Sequence, residues 1–471
     1  MSKEIITTIS PITGQPLLIR EGVSAEEFPS IVEKSNHAFS TFRHTHPLKK
    51  RQEIVRKALE ILSSKSDLLA KELTEQMGRP IAYTGSEVST AKMRAEYLLK
   101  VSDEALKDSP GEEQEGFRRF IRKEPLGVIL VIFAWNYPYL ILINSLVPAI
   151  LAGNTLLLKP SPQTPTVAEH IVSIFSAAGL PENVLQTVHC GNPKALEYFV
   201  SHPDIRSIAF TGSVFGGIAV QKAAASRVVP IGLELGGKDP AYVRPDVNLA
   251  WVAENIVDGA VFNSGQSCCS IERVYVHESV YDDFLKEVVK VLEGYKLGDP
   301  FDKSTQIGPV VSVKSAKTIS EHIKDAEAKG AVNLTPKSVF AEGVRLGETF
   351  VRPELLAECN HSMRIMTEET FGPTIPVMKV SNDEEAVKLM NDSQLGLTAS
   401  IWTKDTETGE RLVERVEAGT VFVNRCDYPS PDLAWTGWKD SGRGVTLSKF
   451  GFEAFVRLKS FHLKNCPELD K

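Results

Sequence analysis

The sequence predicts an α/β protein with a parallel sheet covered on both faces and a second α/β domain, and three observations carry that prediction. Between residues 127 and 235, short apolar runs alternate with segments of helical periodicity, as parallel strands do when helices cover both faces. A second series of the same kind runs from Ala241 to about Asn424. The composition, 42% hydrophobic and 24% charged over 471 residues, is that of a soluble globular chain long enough for several units.

Taken in order, residues 26–43 and 47–77 place apolar side chains three and four apart, as amphipathic surface helices do. Strands are expected at 127–133, 155–158, 184–189, 207–210 and 229–235, with helices at 139–151, 166–178, 193–201 and 213–225. Local punctuation agrees. Thr166 with Glu169 reads as a capping box, Gly179 and Pro181 end that helix, and Asn192-Pro193 opens the next. The Gly/Pro-rich stretch 297–309 reads as an ordered connection within the second series. Residues 112–123 and 454–464 look like extended strands with no partner in either series, a pattern often found in assembly interfaces.

Residues 126–158 contain no charged side chain, and hydropathy alone flags them as a membrane span. Asn136, Pro138, Asn144, Pro148 and Gly153-Asn154 interrupt that run at element boundaries, so a buried strand–loop–helix–strand unit is expected instead. With 53 Lys and Arg against 60 Asp and Glu, the net charge of −7 offers no footprint for nucleic acid or an anionic membrane. Cys190, Cys268, Cys269, Cys359, Cys426 and Cys466 form neither a dense disulfide framework nor a metal-binding C-x-x-C pattern. Reduced thiols, no metal and a cytoplasmic location are expected, the N-terminal residues lacking a secretory-signal pattern.

Several residues carry candidate chemistry, each with a plainer alternative. Cys268 lies in Asn-Ser-Gly-Gln-Ser-Cys-Cys-Ser, on a loop of small polar residues that gives a thiolate access, though a buried structural cysteine would also fit. Glu234, in Gly-Leu-Glu-Leu-Gly-Gly-Lys, ends a parallel strand, where ligands of open α/β sheets bind. Burial among Leu and Gly suits it to general-base work; the alternative is an ion pair with Lys238 or a turn cap. Gly212-Ser213-Val-Phe-Gly-Gly217 joins a strand to a helix and serves either a phosphate or a tight turn. Lys159-Pro160-Ser161-Pro162 ends another strand without the acidic ribose anchor of a dinucleotide fold. Asn136, in Ala-Trp-Asn-Tyr-Pro, is either an oxyanion donor or a turn residue.

In combination these motifs resemble the aldehyde dehydrogenase superfamily. Trp-Asn-x-Pro, Phe-Thr-Gly-Ser, Leu-Glu-Leu-Gly-Gly-Lys, Gly-Gln-x-Cys and Glu-Glu-x-Phe-Gly-Pro occur in that order along essentially the whole chain. The resemblance implies a Rossmann-like dinucleotide-binding domain (1–106 and 126–236), an α/β catalytic domain (237–438) and a small β oligomerisation part (107–125 and 439–471). It implies NAD(P)-dependent oxidation of a small-molecule aldehyde to the acid by a homodimer or homotetramer. Cys268 would be the nucleophile, Asn136 with the Cys268 N–H the oxyanion donors, and Glu234 the base that activates the hydrolytic water. Phe133 and Trp135 would line the cofactor groove, and Lys159 would meet the adenosine ribose. Gly212, Ser213 and Gly217 would hold the pyrophosphate, and Glu369 and Phe371 the nicotinamide ribose and ring. Tyr137, Leu140, Ile141, Tyr428 and Trp435 would form a partly aromatic substrate tunnel, with Asn144, Ser267, Cys269 and Arg425 also assigned to substrate.

Two departures bear on specificity. Pro162 stands where many NAD-preferring relatives carry a ribose-binding Glu, so NADP use is open beside NAD. Asn144 stands where relatives acting on succinate semialdehyde place an Arg, which leaves Arg425 to pair an anionic tail unless it pairs with Asp427. Two rivals remain: an acylating enzyme, against which Glu234 argues, and a non-catalytic family member, against which the presence of Cys268, Glu234 and Asn136 argues.

Overall fold

The computed structural model describes residues 4–465. Cys466 and the end of the C-terminal segment lie outside them. Its first sheet has six strands in the spatial order Gly442–Arg443, Ile231–Glu234, Ile205–Thr211, Val128–Phe133, Thr155–Pro160, Leu185–Thr187. All pairs are parallel except the first. The strand order reverses between Val128–Phe133 and Ile205–Thr211, which opens a crevice at their carboxyl ends, the place where such sheets bind ligands.

The sequence accounts for the centre of this sheet. Val128–Phe133 is buried at every position, since helices cover both faces. The helix Pro138–Ala152 follows, with proline in its first turn and Gly153 as a left-handed C-cap at φ 99°. Every residue of that helix is buried except Leu140 and Ile141. The charge-free stretch is therefore interior packing, and among the described residues no helix is long and apolar enough to cross a membrane.

The second sheet has seven strands in the order Val332–Asn333, Glu354–Ala357, Thr374–Val380, Ile271–His277, Asp239–Val243, Thr398–Trp402, Thr420–Val423, parallel but for the first pair. The two partnerless strands of the sequence find each other within the chain. Val456–Lys464 runs antiparallel to Phe117–Pro125 from Val456↔Pro125 to Lys464↔Phe117, with Ser109–Pro110 on the far side and Phe120 stacked on Phe461 at 4.5 Å. Gly442–Arg443, which the sequence assigns to the C-terminal assembly segment, instead pairs with Leu233 and Glu234 in the first sheet.

Three local expectations change. Residues 47–77 form two helices, Leu48–Ser64 and Ser66–Met77, divided at Lys65. The N-terminus forms an antiparallel hairpin, Ile5–Ile9 with Pro16–Glu21, that helical periodicity did not announce. The capping box at Thr166 is not formed, because the hairpin's Arg20 takes Glu169 in a two-pronged pair at 2.6 and 2.9 Å while Gln76 donates to the Thr166 hydroxyl. Asn192 does cap its helix, accepting from the Lys194 N–H at 2.9 Å.

Candidate active site

Two clefts, of about 1000 and 1060 Å³, meet at one cluster: Asn136, Ile141, Thr211, Glu234, Leu235 and Cys268 line both. Each of the polar members arrives on a loop or strand end. Thr211 and Glu234 are paired at the carboxyl ends of adjacent strands, and Asn136 follows the end of Val128–Phe133.

The Cys268 loop is held in an unusual backbone conformation. Asn263, Ser264 and Gly265 all have positive φ, at 52°, 59° and 69°, of the kind that clusters at functional sites. Gly265 is obligatory there, since a Cβ would lie 2.1 Å from the Gly372 carbonyl oxygen. Gln266 is buried and clamps the loop, its Oε1 accepting from the Val311 N–H at 2.7 Å and its Nε2 donating to the Asn263 carbonyl at 3.1 Å. Beyond it Cys268 is half-buried, and its backbone N–H has no hydrogen-bond partner among the described residues. Gly237 lets the strand end carrying Glu234 approach this loop: a Cβ on it would meet the Cys268 carbonyl oxygen at 2.5 Å.

Cys269 is a different kind of thiol. It is buried and donates to Asp427 Oδ1 at 2.8 Å, and the adjoining Cys268 thiol, burial and Asp427 all push its pKa up. Asp427 also accepts from the Ser267 hydroxyl at 3.0 Å, and burial raises its own pKa to about 6.

Glu234 does not pair with Lys238, which is fully buried against Glu272 at 2.6 Å. Instead the Thr446 hydroxyl donates to Glu234 Oε1 and the Thr211 hydroxyl to Oε2 at 3.3 Å. Burial raises the Glu234 pKa above the ordinary carboxylate value, against the pull of those two hydroxyls and of the Arg94 charge. The Asn136 amide donates one N–H to the Gln266 carbonyl at 3.3 Å, which leaves its second N–H for the clefts.

A buried ion pair holds the Asn136 loop. Arg79 bonds Glu87 and the Asn136 carbonyl, and its Nε donates to Asn263 Oδ1 at 3.1 Å. Glu87 in turn accepts from the Tyr139 N–H at 2.9 Å, at the start of the following helix. Replacing Arg79 by Met leaves the Glu87 carboxylate buried without its partner. Stability in urea should fall by about 3–5 kcal/mol, and adding Glu87→Met should recover part of the loss.

The second cleft collects most of the residues assigned to a dinucleotide. Phe133, Trp135, Lys159, Gly212, Ser213, Glu369 and Phe371 all line it, together with Pro162. Trp135 and Phe371 meet edge to face at 5.8 Å. Ser213 is the N-cap of Val214–Ala223, so a helix N-terminus opens towards this cleft, a site suited to phosphate. Burial lowers the Lys159 pKa. Glu369 lies between the short helix Arg364–Thr367 and the strand Thr374–Val380, on a loop whose Thr370 and Phe371 N–H groups donate to Glu272 at 2.7 and 2.8 Å. Burial, with the nearby Glu272 charge, raises the Glu369 pKa to about 8. Gly217 is the exception: it lies outside the cleft and faces Leu235, whose side chain a Cβ would meet at 2.6 Å, so it serves helix-on-strand packing.

The first cleft is lined by Tyr137, Leu140, Ile141 and Asn144 from the Pro138–Ala152 region and by Ser267 and Cys269 beside Cys268. Tyr428 and Trp435 close it. Arg425 is absent from its lining: it is exposed and lies over the Tyr428 ring at 3.7 Å, and it makes no ion pair with Asp427 among the described residues. The sequence reading passed over Arg79, Glu87, Arg94 and Thr446. For Glu87 and Arg94 a signal existed, since they interrupt the apolar face of Ile81–Leu106 formed by Val88, Ala91, Ala95 and Leu98.

The family model described as "Aldehyde dehydrogenase family" matches residues 1–461. An aldehyde dehydrogenase of Paenarthrobacter nicotinovorans is 33% identical over 460 residues, covering 97% of this chain and 99% of the relative. A succinate-semialdehyde dehydrogenase [NADP(+)] 1 of Mycobacterium bovis is 30% identical over 459 residues, covering 97% and 99%. The crystal structure of an aldehyde dehydrogenase from Brucella melitensis biovar abortus superposes with a TM-score of 0.93 at 28% identity, covering 98% of this chain and 94% of that one. The chain belongs to the aldehyde dehydrogenase family.

Proposed function

We propose that this NAD(P)-dependent aldehyde dehydrogenase works through a covalent adduct on Cys268, released as the carboxylic acid by water that Glu234 activates. The observation that carries the reading is the junction of the two clefts, where the Cys268 sulfur, its unpaired N–H, the Asn136 amide and the Glu234 carboxylate converge.

The Cys268 thiolate attacks the carbonyl carbon, and the oxygen takes up the electron pair of the opened C=O bond. Asn136 Nδ2 and the Cys268 N–H stabilise that oxyanion. An oxidised nicotinamide dinucleotide, when bound, supplies the hydride acceptor that allows a thioester to form on Cys268. Trp135 and Phe371 would flank its ring, Glu369 its nearby ribose, Ser213 its pyrophosphate and Lys159 its adenosine ribose. Pro162 lines the cleft with Lys159 and brings no carboxylate to repel a 2′-phosphate, which supports use of NADP as well as NAD. Glu234 then removes a proton from water as that water attacks the thioester, and the Cys268 thiolate departs.

In the same reading residues 1–106 and 126–236 bind the dinucleotide and 237–438 carry catalysis. Residues 107–125 and 439–471 would assemble a homodimer or homotetramer, a role supported by the edge strand Val456–Lys464 with Leu458 and Leu463 exposed. The test of function is stoichiometry. One carboxylic acid and one reduced dinucleotide should appear per aldehyde consumed, with neither coenzyme A nor phosphate added. Turnover that begins only when an acyl acceptor is supplied would favour the acylating rival.

A further inference from the structure

Arg94 is a cation in the first cleft that the chemistry above does not use. It is only 6% exposed, on the helix Ile81–Leu106, and it shares the cleft with Cys268. Among the described residues its hydrogen bonds are two long ones, both 3.4 Å, to Asn144 Oδ1 and to the Pro429 carbonyl, and its Nε has no partner. Among the described residues it makes no ion pair.

The acidic groups that face it are engaged elsewhere. Glu87 is bonded to Arg79 and the Tyr139 N–H, and Glu234 accepts from Thr446 and Thr211. Asp427, on the same cleft, accepts from Ser267 and Cys269. Tyr137 lines the same cleft, and among the described residues its buried hydroxyl also lacks a partner, so a second unsatisfied donor lies in this wall. The rest of the wall includes Leu140, Ile141, Phe262 and Trp435.

A buried cation without a counter-ion is costly unless an anion joins it. Arg94 lines the cleft that leads to Cys268, so an anion entering that cleft can reach it. We propose that Arg94 selects aldehydes carrying a carboxylate at the end remote from the carbonyl, with the Tyr137 hydroxyl as the second donor. A single guanidinium and a neutral hydroxyl match one negative charge, and the planar fork of arginine suits a carboxylate. The apolar wall then holds the carbon chain between the two ends. This inference rests on aldehyde oxidation at Cys268 and adds the substrate class to it.

The test compares aldehydes of equal length with and without the acid, butanal against 4-oxobutanoate and hexanal against 6-oxohexanoate. The wild-type protein should prefer an acid-bearing member in kcat/KM. Arg94→Gln should raise KM for that member by about 10- to 100-fold. Assayed above the acid limb of kcat, since loss of the Arg94 charge also lets the Glu234 pKa rise, it should leave the neutral aldehydes within a few-fold, and Arg94→Lys should restore part of the preference. Independently of turnover, succinate or glutarate should raise the melting temperature of the wild-type protein and not that of Arg94→Gln. A wild-type preference for the neutral members, or equal losses for both members in Arg94→Gln, would overturn the assignment of Arg94. Failure of the wild-type protein to oxidise any of the four would count instead against the function itself, and the inference would fall with it.

Discussion

Replacing Cys268 by Ala should lower aldehyde oxidation by at least about 10⁴-fold, because no other group at the cleft junction can form the covalent adduct. Cys269 does not substitute for it. That thiol is buried, donates its proton to Asp427, and has its pKa raised by the neighbouring Cys268 thiol and by burial. Cys269→Ala should therefore keep most of the activity. Both variants should fold, since Cys268 is half-buried on a loop and the change at Cys269 is small. Steady-state assays of reduced dinucleotide on the two variants, side by side, check the assignment. Substantial turnover by Cys268→Ala would contradict it.

Glu234→Gln should separate the two halves of the reaction. The amide keeps an oxygen to accept from Thr446 or Thr211, so the site stays shaped, but it cannot take a proton from water. Rapid mixing should show a burst of about one reduced dinucleotide per active site, followed by a steady rate about 10²–10⁴-fold below wild type. The pH dependence follows from the same burial. A base at Glu234 would act as the carboxylate, and because burial raises its pKa above the ordinary carboxylate value, that function should be lost as pH falls through the raised value. The acid limb of kcat should accordingly sit at a higher pH than an exposed glutamate would give, and in Glu234→Gln that limb should vanish.

Much of this site was legible because its residues sit at the ends of strands. Asn136, Thr211 and Glu234 follow or end short apolar runs, and in a parallel sheet the carboxyl ends converge by topology alone. What local pattern could not supply was side-chain direction on irregular backbone. Arg425 and Asp427 lie two residues apart after the strand Thr420–Val423, where Asn424 and Asp427 have φ of 58° and 45°. The turns leave Arg425 exposed and bring Asp427 to the cleft, the reverse of what proximity to the strand end led one to expect. Tertiary contacts also displaced local ones: Glu169 would close a capping box on its own helix, but a hairpin from the N-terminus brings Arg20 to it. Arg94 escaped notice for a related reason. A charged residue on a long amphipathic helix reads as solvated until its place on the apolar face is counted.

The central claim is that the acyl group passes through Cys268 and waits there for Glu234. Its most direct test is mass spectrometry of Glu234→Gln quenched after mixing with aldehyde and oxidised dinucleotide. The account predicts one acyl group per chain, mapped to the peptide at Cys268 and removed by hydroxylamine. An unmodified chain after a full burst, or an acyl group on Cys269, would contradict it.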